Sequence, residues 1–594
     1  MRDSVGGGIT VTEAAASDQP IVRLPTAVTG FVGRTLRGPV NQPVRLRSFA
    51  EFHQVFGGLW QPSMLGYAVE QFFDNGGREA IVVRVVNTAA PATVSLPCGS
   101  DTLTLEALSP GSRELLRASV DYDNIPAAED DRFNLVVQRV RALGSEHVED
   151  QEIFRRVSTA PGTTRFVAAA LQESQLVRVR GEVAAQRPDR TFRPGARHPI
   201  GYVDSNPDGD DGAPLTDYDL IGSAEKGTGL FALRAVEGLH FLCIPPPARD
   251  RDLGPSVLLV AAQFCRERRA LLIVDPPAAW ETSDDAIRGL RELAFQSDHA
   301  LVCFPRVQAF DRLRGRYEAF GNGGAVAGAL ARMDAHRAPW EGGPDEQLLL
   351  RPGTRPLQML TEAECQKLSA YGINPLHAMR PNHASVPPLK TLARGSGAGP
   401  DAELLTARRC QLLIINSIEH GTRWVQFHTR EQSAWPRLAR QVRTFLLELS
   451  ASGAFGKAAE AQPCEVFCDE RINDDLDLAA AQLNCLVALP GSRPGQWHSY
   501  MFNYRPGRTT VRAVKSRTLP AGTRFTVHES VPAPAVKDVG QPGSRRTLAQ
   551  ELFAPARPGR ASDAGRAEPP TTRRLDPDLV ARLYGDPVGR GERI

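Results

Sequence analysis

No stretch of these 594 residues approaches the ~20 consecutive apolar positions that a membrane-spanning helix needs. The opening MRDSVGGGITVTEAAAS has no apolar core of the kind a signal peptide carries. The expectation is a chain made in the cytoplasm, with no membrane span. Charge of a single sign is missing too: 70 Lys+Arg stand against 68 Asp+Glu, a net charge of +2. That balance supplies no global field for capturing nucleic acid or an anionic membrane. Cysteine is sparse, nine residues in all. Cys464 and Cys468 make a C-x-x-x-C on a strand-like run, and no second pair follows. The odd count, and the apolar neighbours of Cys243, Cys303 and Cys485, predict buried free thiols in a reducing compartment rather than a metal site.

The signatures of catalysis are also missing. There is no H-E-x-x-H, no G-x-S-x-G and no cysteine with a catalytic flank. GAFGKAA has the Gly-Lys of a phosphate loop, but Ala458 stands where a hydroxyl is needed and the spacing to Gly453 is wrong. FGNGGAVAG and GSGAG lack the third glycine of a dinucleotide loop and read as flexible turns. His377 and His383 share a loop without carboxylate support, a poor metal pair. The acidic stretch HPIGYVDSNPDGDDGAPLTDYD has Pro207 and lacks the bidentate glutamate of a calcium loop, so it reads as a solvated surface loop. No enzyme activity, cofactor or metal is expected.

A chain of this length is too long for one core, and two to four domains are expected. The segment GITVTEA is a lone strand with flexible flanks: Ile9, Val11 and Glu13 alternate with threonines and have no local hairpin partner. Its backbone groups need partners, on its own domain or on another molecule's sheet edge. TAVTGFVGRT predicts a strand, and SFAEFHQVFGG a helix capped by Ser48 and Glu51 and stopped at Gly57. LGYAVEQFFDNGG predicts a second helix, leading into the strand EAIVVRVV. From about Thr88 to Arg197 the pattern turns to short strands, among them VSLPCGSDTLTLEAL, RASVDYD, RFNLVVQRV, RFVAAAL and LVRVR. Residues 239–305 alternate apolar strands with amphipathic helices, which predicts a parallel, doubly wound sheet. Such sheets carry ligands at their carboxyl ends, so Asp250 and Asp275 are considered as site residues. Against them, no glycine fingerprint follows any of these strands, and their ends carry prolines that cannot donate to a phosphate.

Further on, AECQKLSAYGIN and RRCQLLIINSIEHG predict helices, and WVQFHT a strand. The best helix runs from Trp435 to Ser450, capped by Gly453. Trp435, Leu438, Val442, Phe445, Leu446 and Leu449 recur at three- and four-residue steps, with Arg437, Arg440 and Arg443 off that face. Those arginines are either a solvated face or a contact with an acidic partner surface; nucleic acid fits poorly, because no aromatic stacking platform accompanies them. EVFCDE, LNCLVAL and QWHSYMFNY predict strands. TTVRAVKSRTL and TRFTVHESV suggest a hairpin around PAG, and beyond Val539 the Pro-, Gly- and Arg-rich composition predicts a mostly disordered linker.

The order of these segments, more than any one motif, resembles the contractile tail sheath proteins of phages and of phage-tail-like injection systems. PTAVTGFVGRTLRGPVNQPVRLRSFAEFHQVFGG followed by LGYAVEQFFDNGGREAIVVRVV is similar to the family's N-terminal core. YGINPL, LTARRCQLLIINSIEHGTRWVQFHT, the long helix, CDERINDDLDLAAAQLNCLVAL and RPGQWHSYMF follow the order of its C-terminal half. The resemblance spans roughly Ile9 to Phe502. The family's usual opening PGVYVEE is replaced here by GGITVTEAA, and the chain runs on past Tyr504.

The resemblance implies an α/β, α+β multidomain chain, with an inner domain built from N- and C-terminal portions around inserted β-rich and doubly wound outer domains. Expected boundaries are a strand arm over 1–20, inner-domain residues 21–90, a β-rich insert 91–200 and an α/β middle domain 201–350. A C-terminal domain 351–504 and a partly disordered extension 505–594 follow. It implies stacked hexameric rings around an inner tube, contracting to drive the tube through a target envelope. The implied partners are copies of the chain itself, the inner tube protein, and baseplate and cap proteins, with no direct nucleic-acid contact. Assembly would occur in the bacterial cytoplasm, as part of a phage tail or a released extracellular particle. Ile9, Val11 and Glu13 become the candidate donated arm. The strands bearing Cys485, Val487, Leu489, Trp497, Tyr500 and Phe502 become linking strands, and Arg437, Arg440 and Arg443 face the tube. The alternative is an α/β ligand-binding protein or enzyme using the middle-domain strand ends.

Overall fold

The structure, a computed structural model, describes residues 20–142, 144–191, 201–341, 348–377, 387–394, 400–456, 463–491 and 496–514. The expected arm residues Ile9, Val11 and Glu13, together with His383, Ala458, GSGAG and the expected strand TRFTVHESV, lie outside these described residues. The chain forms a mixed α/β fold with several sheets, divided into two units. The larger unit takes its described residues from 27–332 and 348–377, and the smaller from 20–26, 333–341 and 387–514.

The larger unit is organised on a seven-stranded sheet. Its spatial order is Ile373–Pro375, Ala300–Phe304, Leu271–Val274, Phe241–Cys243, Thr29–Gly33, Ala80–Arg84 and Pro43–Leu46. All neighbouring strands are parallel except the last pair. AIVVR, LLIV and ALVCF are buried at every position, as strands covered on both faces must be. The parallel sheet expected over residues 239–305 is present but larger than its local pattern suggests. Thr29–Gly33 and Ala80–Arg84 join it, so the sheet draws on both the 21–90 and the 201–350 stretches. Parallel strands pair across long sequence separations, which a pattern read along the chain does not reveal.

Helix Phe49–Phe56 starts as the sequence suggests. Ser48 Oγ accepts from Glu51 N at 3.2 Å, while Glu51 Oε2 accepts from Arg47 N at 2.8 Å, one residue before the usual reciprocal partner. Gly57 ends it at φ 85. FGNGGAVAG is not a flexible turn: Gly323–Asp334 is a helix, buried from Gly323 to Ala331. A Cβ on Gly324 or Gly328 would stand 2.0 Å from the Ala68 carbonyl oxygen or 2.3 Å from that of Phe72. These two glycines are what allow helix Leu65–Asp74 to lie so close.

The β-rich insert has its own core. Strands Pro91–Cys98, Asp101–Pro110 and Val177–Val179 form one sheet, and Val203–Asp204, Leu116–Asp121, Arg132–Val140 and Val148–Ser158 form another. Val94, Leu96, Leu103, Leu105, Leu116, Phe133, Leu135 and Val157 pack together in that core. RFVAAAL, expected as a strand, is instead a helical turn over Val167–Ala170 continuing as a tight turn to Glu173, in keeping with its alanine run. The acidic stretch before Asp217 is more than a solvated loop. Asp208 accepts from Thr93 N and Oγ1 at 2.9 and 2.6 Å, and Asp211 from Ser112 N and Oγ at 2.9 and 2.8 Å.

In the smaller unit, helices Leu405–Gly421 and Ala434–Ala451 pack with a four-stranded antiparallel sheet. The strand order is Glu465–Phe467, Leu483–Pro490, Trp497–Arg505 and Arg508–Val514. WVQFHT is not a strand: Arg423–Phe427 is a 3-10 turn, and Trp424 Nε1 donates to Gln441 Oε1 at 2.9 Å. TTVRAV turns back at Gly507 (φ 71) and pairs with Trp497–Arg505; its expected hairpin partner lies outside the described residues. Residues from the start of the described chain belong to this unit. Ile21 sits in its core, and Leu24 N donates to Ser417 Oγ at 3.2 Å. Among the described residues, no helix is long and apolar enough to cross a membrane.

Candidate functional site

The long helix Ala434–Ala451 is the centre of the smaller unit. Trp435, Leu438, Val442, Phe445, Leu446 and Leu449 are all buried, as their spacing predicts. Burial of this kind contributes about 1.5–3 kcal/mol per large apolar side chain. The opposite face carries Arg440, Arg443, Thr444, Leu447 and Glu448, all exposed, with Leu447 67% exposed. Arg437 is half-buried, its guanidinium 4.3 Å from the centre of the Trp424 ring. Arg443 Nη2 donates to the Val466 carbonyl at 2.8 Å, so this residue spans from the helix to the sheet. The three arginines therefore differ. Arg437 stacks, Arg443 is anchored to a strand, and Arg440 projects from the exposed face.

The two strands singled out in the sequence pair with each other. Cys485 stands opposite Phe502, Val487 opposite Tyr500, and Pro490 opposite Trp497. Alternation puts Leu483, Cys485, Val487 and Leu489 into the core with the long helix, together with Tyr500 and Phe502. Leu486 and Met501 fall on the other face with Ile472. These are the two central strands of the sheet, so their backbone edges are already paired. Among the described residues, the sheet's outer strands are Glu465–Phe467 and Arg508–Val514. Trp497 is half-buried.

Several residues that tie this unit together were not singled out in the sequence. The Tyr504 hydroxyl and Thr422 Oγ1 share a buried hydrogen bond of 2.8 Å, and burial holds the phenol well above its usual range. Asp334 accepts from Thr26 Oγ1 at 2.5 Å and forms an ion pair with Arg409, both of its members nearly buried. Polar residues at helix ends and loop edges carry no periodic signal, so sequence reasoning passes over them.

The strand-end aspartates diverge. Asp250 is exposed. Asp275 is partly buried, and its Oδ1 accepts from Gly323 N at 2.6 Å, at the start of helix Gly323–Asp334. Burial pushes this carboxyl up to about 6, opposed by hydrogen bonds from the Gly323 and Asn322 backbones. The carboxylate thus fills a helix N-terminus of its own fold, a position suited to an anion. His377 is half-buried, and burial lowers its pKa. Among the described residues, no group of three or more His, Cys, Asp or Glu side chains is placed to hold a metal ion.

These features define a mixed α/β chain of several sheets whose C-terminal helices and antiparallel sheet also take in residues from near its start. No family model matches the chain. The tail sheath protein of Burkholderia phage BcepMu is 23% identical over 386 residues, covering 62% of this chain and 70% of that protein. The crystal structure of the sheath tail protein from Listeria innocua superposes with a TM-score of 0.53 at 12% identity, over 82% of this chain and 96% of that one. The PVC sheath complex of an extracellular contractile injection system, in its contracted state, is 12% identical, covering 89% of this chain and 98% of that one, with a TM-score of 0.46. The resemblance to contractile tail sheath proteins is thus present in sequence, through the phage relative, and in fold, through the Listeria structure.

Proposed function

We propose that this chain is a structural subunit of a contractile tail sheath. It polymerises as stacked six-membered rings around an inner tube, and contraction drives that tube through a target envelope. The observation that carries this reading is the shared fold with a sheath tail protein, combined with sequence likeness to a phage tail sheath over 386 residues. Its partners on this reading are further copies of itself, the inner tube, and baseplate and cap proteins. The particle is a phage tail or a released tail-like assembly. No chemistry is asked of the chain.

Within that reading, the arm bearing Ile9, Val11 and Glu13 pairs with a neighbour's sheet. Backbone groups of a lone strand need partners, and the four-stranded sheet has outer strands to offer them. The exposed face of the long helix, with Arg440 at its centre, faces the tube. The rival reading, a ligand site at the middle strand ends, is disfavoured by the hydrogen bond that ties Asp275 to its own helix.

Negative-stain electron microscopy of the full chain beside a chain lacking the residues before Asp18 tests the proposal. Ribbed hollow tubes from the first and only rings or monomers from the second are expected. Dispersed particles from both, with a tube partner present, sink it.

A further inference from the structure

The outer strand Glu465–Phe467 is held to Leu483–Pro490 by only three residue pairs: Glu465 with Ala488, Val466 with Val487, Phe467 with Leu486. One residue past the paired strand, continuing that register brings Cys468 opposite Cys485, and the two thiols are hydrogen-bonded. Both side chains point into one core, beside Val466 and Val487. Directly opposed residues on antiparallel strands have Cα atoms about 4.5–5.5 Å apart, inside the range a disulfide spans. Both cysteines are free thiols in this structure. Between them the chain makes an excursion through the helical turn Asp475–Ala479. Its base is tied by Asn473, whose Oδ1 accepts from Asn484 N at 2.6 Å and whose Nδ2 donates to Asn484 O at 2.9 Å.

Cys468 is itself buried, 4% exposed, but has a route outward. It lines an open surface groove of about 480 Å³ with Gln432, Pro436, Asp469, Glu470 and Arg471. Cys485 lies behind it on a central strand, fully buried. The hydrogen bond with Cys485, and then burial, hold the Cys468 thiol well above its ordinary pKa, while the Arg443 guanidinium works in the opposite direction. Reaction is therefore slow at neutral pH and faster in mildly alkaline solution, because the thiolate is the nucleophile.

We propose that Cys468 and Cys485 form a redox modification site, whose co-reactant is a low-molecular-weight disulfide and whose product staples the short outer strand to the sheet. The Cys468 thiolate, reached through the groove, attacks one sulfur of oxidised glutathione. A mixed disulfide forms and one glutathione thiolate leaves. The Cys485 thiolate then attacks Cys468 Sγ, forming the protein disulfide and releasing the second glutathione. The two cysteine protons go to solvent or to the released thiolates, and the two electrons end on two glutathione thiols. In the reduced chain the strand is held by three pairs and can fray. In the oxidised chain a covalent bond closes its end.

The test uses the full chain, purified reduced and then incubated with excess oxidised glutathione in mildly alkaline buffer. Peptide mapping without reductant is expected to show a Cys468–Cys485 link, absent from C468S and C485S. Amide hydrogen exchange over Glu465–Phe467 is expected to slow by about tenfold or more on oxidation, and to return with reductant. The proposal is overturned if both thiols stay alkylatable after unfolding. Separate glutathiones on the two residues, or a link from either to Cys464, overturns it as well. Unchanged exchange despite a mapped link removes the stapling.

Discussion

Arg84 Nη2 donates to the Pro110 carbonyl at 2.6 Å, joining the last residue of a central strand of the large sheet to the end of the insert's strand Asp101–Pro110. Arg84 Nη1 adds bonds to the Gly38 carbonyl at 2.8 Å and to Ser109 Oγ at 2.9 Å. The side chain is almost wholly buried, and burial lowers its pKa to about 10, which still leaves it charged at neutral pH. This guanidinium is therefore one of the polar links between the parallel sheet and the β-rich insert, beside the Arg37–Glu149 ion pair and the bond from Gly38 N to Ser109 Oγ.

Replacing it by methionine, R84M, leaves the Gly38 and Pro110 carbonyls without this donor. A loss of about 2–4 kcal/mol is expected, because buried acceptors lose a charged donor. Urea unfolding followed by circular dichroism measures it. A midpoint within error of the parent would mean that the remaining contacts hold the insert without Arg84.

Gly324 and Gly328 should tolerate no side chain. G324A places a methyl group 2.0 Å from the Ala68 carbonyl oxygen, so one helix must move. Overpacking of a rigid interface costs about 1–3 kcal/mol or more. A thermal melt of G324A no lower than that of the parent would contradict the close helix packing.

Asp275 makes stability pH-dependent, with a definite sign. Its pKa is raised by burial from 3.8 unfolded to about 6 folded. Between those values the folded chain holds a proton that the unfolded chain has released. Stability from this group is therefore full below the unfolded pKa and falls as pH rises through the folded one. The penalty above pH 6 is on the order of 3 kcal/mol. D275N keeps an oxygen acceptor for Gly323 and loses the titration. Denaturant midpoints at a series of pH values should fall between pH 4 and 6 in the parent and flatten in D275N; parallel curves would remove the assignment.

For the long helix, Arg440 lies on the exposed face and is the arginine to reverse in testing tube contact. Its neighbour Arg443 also bonds the Val466 carbonyl, and Arg437 stacks on Trp424, so changing either disturbs the fold itself. R440E is expected to leave the melting temperature within about 1–2 °C of the parent, as for most surface changes. Tube-templated assembly should weaken markedly in a sedimentation assay. Unchanged co-sedimentation would place the contact elsewhere.

Much of the fold was legible wherever burial imposes a period. The six apolar positions from Trp435 to Leu449 repeat at helical steps because one face packs on a sheet. LLIV and ALVCF are continuous because both faces are covered. Legibility failed where tertiary partners decide. Val148–Ser158 is a strand made largely of polar residues, and its pairing with Arg132–Val140 supplies what its composition lacks. WVQFHT has strand-like composition but sits at a turn between two helices. The glycines of FGNGGAVAG spell flexibility in isolation, whereas in place they let another helix come near. The candidate site was legible as elements and less so as roles. The alternating residues of the two singled-out strands proved to be core, because the strands are central in their sheet.

The bond between Asp275 and Gly323 has a further consequence. Gly323 is tethered to the same chain, so its amide meets the carboxylate at an effective concentration that a free ligand cannot easily match. An anion arriving from solution at this strand end would have to compete with a partner that never diffuses away. The position where open parallel sheets often acquire chemistry is occupied here from within. Any new binding activity in this chain would have an easier start on a loop or an outer strand.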